Sequence, residues 1–145
     1  MIFDKFRKKK ENFEICSPVK GDVIDVTKTN DPLFKSEGLG KGVGIIAEEN
    51  TLVSPVNGEI KTFFPTKHAI GITSDDGVDI LIHLGRMRDK SRKVLKIVEV
   101  DLDSIKNEGY DTTVLLVITN TQEYSAVKSC EGNKTVDDTI IEIQK

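Results

Sequence analysis

The pattern that most constrains this chain is written twice. Ser17-Pro18-Val19-Lys20-Gly21-Asp22-Val23-Ile24 recurs 37 residues on as Ser54-Pro55-Val56-Asn57-Gly58-Glu59-Ile60-Lys61. Proline fixes φ and withholds a backbone donor, while the glycine that follows can take a positive φ, so each copy describes a tight turn opening into a strand. Two copies make two related β-arms of one compact barrel or sandwich, not a solenoid.

The rest of the chain agrees with an all-β reading. Short β-branched runs alternate with turns containing Pro, Gly, Asn and Asp, and no segment keeps a helical period for long. Strands are predicted over 15–19, 22–28, 43–47, 51–54, 58–64, 68–74, 78–84, 94–100, 113–118 and 139–143. The most helix-like stretch is Thr121–Cys130, with Thr121 as cap and Ala126, Val127 and Cys130 packing inward. A length of 145 residues fits one domain, placed at 15–145.

Residues 1–14 stand apart as a basic tail, in which Phe3, Phe6 and Phe13 punctuate Lys5, Arg7, Lys8, Lys9 and Lys10. Two readings are open: a solvated extension, or a short amphipathic segment that touches anionic lipid through Ile2, Phe3 and Phe6. A net charge of −3 argues against a nucleic-acid binder working through a bulk positive field. Cys16 and Cys130 are too few for a disulfide framework, and the opening residues lack the apolar run of a signal peptide, so the cytoplasm is the expected compartment.

With two histidines in the sequence, imidazole chemistry must run through His68 and His83. Both lie in two β-like runs flanking Ser74-Asp75-Asp76-Gly77, a hairpin signal. A loop of Asp75-Asp76, or of Ser74–Gly77, sets the two histidines directly opposite each other, with Cβ atoms about 4.5–5.5 Å apart. A turn at Asp76-Gly77 makes them a diagonal pair at about 7–8 Å, still on one face. Only an odd-length loop separates them. Val78, Ile80, Ile82 and Leu84 form an apolar row that must face the core, leaving Asp79, Leu81 and His83 outside. His68, Ile70 and Ile72 are expected to share that outer face.

A neutral imidazole is a competent nucleophile near neutral pH, and a second one can donate a hydrogen bond to a phosphoryl oxygen, its tautomer fixed by the hydroxyl of Thr66. A zinc site needs more ligands than this, and no H-x-H element lies nearby, which also disfavours a metallopeptidase. Neither metal nor cofactor is expected.

On these residues the chain resembles the glucose-type enzyme IIA family of the bacterial phosphoenolpyruvate-dependent sugar phosphotransferase system. The matching elements are Ser17–Gly21, Asp31-Pro32-Leu33-Phe34, the glycine-rich Gly38–Ile45, Ser54–Gly58, Phe64-Pro65-Thr66-Lys67-His68-Ala69 and Gly77–Gly85. The resemblance implies an antiparallel β-sandwich of the glucose-permease IIA type. It also implies a phosphocarrier in which His83 accepts a phosphoryl group from HPr and passes it to the IIB domain of a sugar permease. His68 then stabilises the phosphoryl group, Thr66 orients His68, and Phe34, Phe64, Ile70 and Leu81 form an apolar surface for partner docking. Ile2-Phe3-Asp4-Lys5-Phe6 is similar to the membrane-touching start of some members, which implies a cytoplasmic protein with peripheral membrane contact.

The resemblance departs after Gly85. Arg86-Met87-Arg88-Asp89-Lys90-Ser91-Arg92-Lys93 replaces the family's glycine- and phenylalanine-containing segment, so the chain reads as a shortened member with Asp89 as a displaced carboxylate. That run is either a solvated loop or a patch that repels HPr. The alternative function is therefore a regulatory or interaction protein that keeps the IIA fold and the histidine pair without relaying phosphate.

Overall fold

The computed structural model describes residues 12–64, 69–84, 96–99 and 113–145. Twelve strands are assigned among them: β1 Asn12–Cys16, β2 Gly21–Asp25, β3 Lys41–Ala47, β4 Thr51–Val53, β5 Gly58–Phe64, β6 Ala69–Ser74, β7 Asp79–His83, β8 Lys96–Glu99, β9 Thr113–Ile118, β10 Ala126–Ser129, β11 Gly132–Lys134 and β12 Thr139–Gln144. A 3-10 turn at Val26–Lys28 and one short helix, α1 at Pro32–Lys35, interrupt them. The strands form a seven-stranded sheet in the order β11-β2-β3-β9-β7-β6-β5, a three-stranded sheet β1-β12-β10 and a β4-β8 pair.

Alternation explains the layering. In β9, Val114, Leu116 and Ile118 point into the main core, where they meet Ile80, Ile82, Val43 and Ile45 of the large sheet and Phe13, Ile15, Ile141 and Ile143 of the small one. Burying each such side chain stabilises the fold by about 1.5–3 kcal/mol. Leu115 and Val117, from the other side of β9, join Val26 and Phe34 in a second cluster on the outer face of the large sheet. The molecule is thus an antiparallel β-sandwich with a secondary apolar patch outside it.

The repeated arms are related by reciprocal hydrogen bonds. The Cys16 N–H donates to the Pro55 carbonyl at 3.1 Å, and the Val53 N–H donates to the Pro18 carbonyl at 2.8 Å. Each serine hydroxyl closes its own turn, Ser17 onto the Val19 carbonyl and Ser54 onto the Val56 carbonyl. Gly21 and Gly58 open β2 and β5 as the pattern predicts, but neither has a positive φ. Their requirement is space: a Cβ would drive into the Ile46 carbonyl oxygen at Gly21 and into the Thr73 carbonyl oxygen at Gly58.

The hairpin before His83 closes in a way the sequence reading did not favour. Gly77 takes φ +90, its N–H donates to the Ser74 carbonyl, and the Ser74 hydroxyl accepts the Val78 N–H. This is a three-residue loop, Asp75-Asp76-Gly77, in which a left-handed glycine supplies the bulge. The odd length shifts the register by one, pairing Ala69 with His83, Ile70 with Ile82 and Ile72 with Ile80. Ile70 and Ile72 therefore enter the core with their partners instead of sharing the outer face with His83.

Asn120 pins that loop. Its Oδ1 accepts the Asp79 N–H at 2.9 Å and its Nδ2 donates to the Gly77 carbonyl at 3.0 Å, from a side chain that is almost fully buried. Removing the amide leaves buried polar groups unpaired, so Asn120→Ala should lower unfolding free energy by about 2–3 kcal/mol at unchanged urea m-value.

Two boundaries differ from the sequence reading. Strand β1 begins at Asn12, and Phe13 packs into the core against the Tyr124 ring, so the domain starts ahead of the expected boundary at Ile15. Residues 1–11 of the tail lie outside the described residues. Thr121–Cys130 is not a helix: it is a 3-10 turn at Thr121–Glu123 followed by β10, whose Val127 and Ser129 pair with Ile143 and Ile141 of β12. An open edge of β12 and the alternation Val127 in, Lys128 out outweigh a weak helical preference.

Candidate phosphoryl-transfer site

His83 closes β7 on its outer face, between fully buried Ile82 and Leu84 that point the other way. One rung of the sheet runs Phe64, Ala69, His83, Leu115 and Gly44 across five strands. The imidazole is half-buried. The Phe34 ring lies against it, with centroids 5.2 Å apart and planes inclined by 45°.

Local sequence explains how Phe34 arrives there. The Asp31 carboxylate accepts the N–H groups of Leu33 and Phe34, and Pro32 stands at the first helical position, a pairing that starts α1 at a defined residue. The strap from Val26 to Leu39 then lies on the outer face because β3 presents glycines there. A Cβ at Gly44 would come within 2.5 Å of the Thr29 methyl carbon. Leu39 and Leu81 pack at the margin of the resulting cluster.

Beyond Leu81 no described element covers the same face. Lys61, Thr62, Gly71, Thr73, Asp79, Leu81 and Thr119 line a shallow pocket there, in which the Thr73 hydroxyl donates to Asp79 at 2.8 Å. A Cβ at Gly71 would collide with the Thr62 hydroxyl, so the floor of this pocket is backbone.

The expected site residues divide accordingly. His83 and Leu81 are on the outer face as anticipated. Phe34 reaches the site, but at 4 % exposure it faces the imidazole more than solvent. Ile70 is 0 % exposed in the main core and cannot be part of a docking surface, because the three-residue loop turns it inward. Phe64 belongs to the His83 rung by its backbone. His68, Thr66 and the basic run from Arg86 to Lys93 lie outside the described residues. The direct or diagonal pairing expected of the two histidines is not the register observed, since Ala69, which follows His68 in the chain, stands opposite His83. The contact between Phe34 and His83 was not anticipated, although Asp31-Pro32 carries the signal for a capped helix just before Phe34. Among the described residues no group of three or more His, Cys, Asp and Glu side chains is arranged to hold a metal.

Comparison with known proteins fits this geometry. Residues 13–91, more than half of the chain, match the family model of the phosphoenolpyruvate-dependent sugar phosphotransferase system, EIIA 1. The β-glucoside-specific EIIBCA component of Bacillus subtilis is 41 % identical over 126 residues, covering 77 % of this chain and 21 % of that protein. The chain thus spans about a fifth of the length of such relatives. A glucose-specific EIIA component of Staphylococcus aureus is 27 % identical over 150 residues, covering 93 % of this chain and 90 % of its own length. The glucose permease IIA of Mycoplasma capricolum superimposes with a TM-score of 0.72 at 27 % identity, over 92 % of this chain and 96 % of that one. With the sandwich, the glycine-lined outer face and His83 at the end of β7 all in place, the chain belongs to the EIIA 1 family of the sugar phosphotransferase system.

Proposed function

We propose that this chain is a phosphocarrier in which His83 accepts a phosphoryl group from HPr and passes it to the IIB domain of a sugar permease. One observation carries the reading: in a strand whose neighbouring positions are sealed in the core, His83 is turned to the outer face. A ring nitrogen attacks phosphorus, and the bond from phosphorus to HPr breaks with its electrons leaving on HPr. Transfer to IIB repeats the exchange with His83 as leaving group. His68 stabilises the phosphoryl oxygens and Thr66 orients His68. Leu81 and Phe64 contribute to the surface that partners touch. The relatives fused to IIB and IIC segments support a IIB acceptor.

Incubation with phosphoenolpyruvate, enzyme I and HPr should add one phosphoryl group, read by intact mass under conditions that preserve acid-labile phosphohistidine. An unmodified mass would favour a regulatory protein that keeps the fold without the relay.

No helix among the described residues is long and apolar enough to cross a membrane. The reading places the chain in the cytoplasm, with residues 1–11 making peripheral contact with anionic lipid. Removing residues 1–11 should leave the melting temperature unchanged and weaken binding to anionic vesicles, each basic residue contributing about 1 kcal/mol. Removing residues 1–14 takes Phe13 out of the core as well, and should cost about 3–5 kcal/mol of stability.

A further inference from the structure

We propose that Phe34 is a positioning residue: it holds the His83 imidazole in one orientation for phosphoryl transfer instead of serving as surface for a partner. This rests on the reading of His83 as acceptor. At 4 % exposure Phe34 has almost no area to offer another protein, while its ring is packed against the imidazole at 5.2 Å. The tilt of 45° lets the flat ring restrict rotation of the imidazole.

Phe34 is itself held from every side. Val26, Leu115 and Val117 pack beneath it, and the Asp31 carboxylate fixes its N–H from one end of α1. At the other end the Glu37 N–H donates to the Phe34 carbonyl at 2.9 Å, and Gly38 donates to the Leu33 carbonyl at 3.2 Å. Closing the turn this way puts Glu37 at φ 63, the one non-glycine residue with positive φ among those described. A left-handed glutamate is unfavourable and persists only where the surroundings over-determine it. Here the strained residue closes the turn that seats Phe34 on His83, at the one place where ring orientation matters for reaction. Small errors in the placement of a reacting group lower rates steeply, by up to about 100-fold for a displacement of 1 Å.

Phe34→Leu tests this, because leucine keeps the apolar cluster filled but removes the flat ring. At saturating phosphorylated HPr the single-turnover rate of acceptance should fall by about 10-fold or more, while the HPr concentration giving half-maximal rate changes by less than about 2-fold. In parallel, imidazole NMR signals of His83 should lose their ring-current shift and report averaging over orientations. Asp31→Ala, which frees α1 without touching the cluster, should move both readouts in the same direction by less. An unchanged maximal rate with a raised half-saturating concentration would overturn the proposal in favour of docking, and so would His83 ring signals identical to wild type. If the unmodified chain accepts no phosphoryl group, the acceptor reading fails on its own, and the NMR arm still decides whether Phe34 orients the imidazole.

Discussion

Replacing His83 with glutamine should reduce phosphoryl acceptance from HPr by on the order of 10^4-fold or more, because in the proposed relay the imidazole is the attacking group and an amide nitrogen at neutral pH is not a nucleophile. The fold should survive. The position is half-buried on the outer face, so a polar side chain of similar reach does not disturb Ile82 or Leu84 on the other side of the strand. The melting curve of the variant should therefore overlay that of wild type while its mass stays unmodified. His68→Gln should behave differently, accepting phosphate but passing it on slowly, since an amide can still donate a hydrogen bond to a phosphoryl oxygen. Undiminished phosphate on His83→Gln would place the acceptor elsewhere.

The second large effect is on stability. Gly58→Ala pushes a methyl group into the Thr73 carbonyl oxygen, and Gly21→Ala does the same at the Ile46 carbonyl oxygen. Both obstacles are backbone atoms within paired strands, so nothing flexible can yield, and each variant should lose more than about 4 kcal/mol or fail to fold. Gly77→Ala is a useful contrast. No atom stands near its added Cβ, and the penalty is the left-handed φ of +90 alone, worth about 1–2 kcal/mol. Chemical denaturation of the three proteins separates close packing from backbone conformation as reasons for a glycine.

These variants also mark how far the sequence could be read. Strands 58–64 and 113–118 are observed at the expected residues, since each is a β-branched run bounded by turn residues. The twofold arms were legible from Ser-Pro-Val-x-Gly, but the reason for the glycines was not, because the obstructing carbonyls belong to strands distant in sequence. The face of Ile70 depended on whether the loop held an even or an odd number of residues, and Ser-Asp-Asp-Gly is compatible with both. Only the left-handed Gly77 and the Asn120 amide, 43 residues away, settle it. The Thr121–Cys130 stretch reads as helical for a similar reason, since the strand that recruits β10 is the last described strand of the chain. Phe34 was identified as part of the site from family resemblance, and its burial against His83 emerges only from the docking of α1 on the glycine-lined sheet.

The first and last strands of the fold are neighbours: Asn12 pairs with Gln144. The start of β1 and the close of β12 thus lie side by side at one end of the three-stranded sheet, across the main core from the layer whose outer face carries His83. A segment joined at either end is therefore attached on the side of the sandwich away from His83. Such an arrangement suits the proposed carrier, which would meet one partner to be charged and another to be discharged. The same body can be joined into a longer polypeptide without cutting a described strand, and the Bacillus subtilis relative, of which it matches 21 %, is such a longer chain. A short leash would then raise the local concentration of the proposed carrier at its acceptor, with the attachment on the side opposite His83.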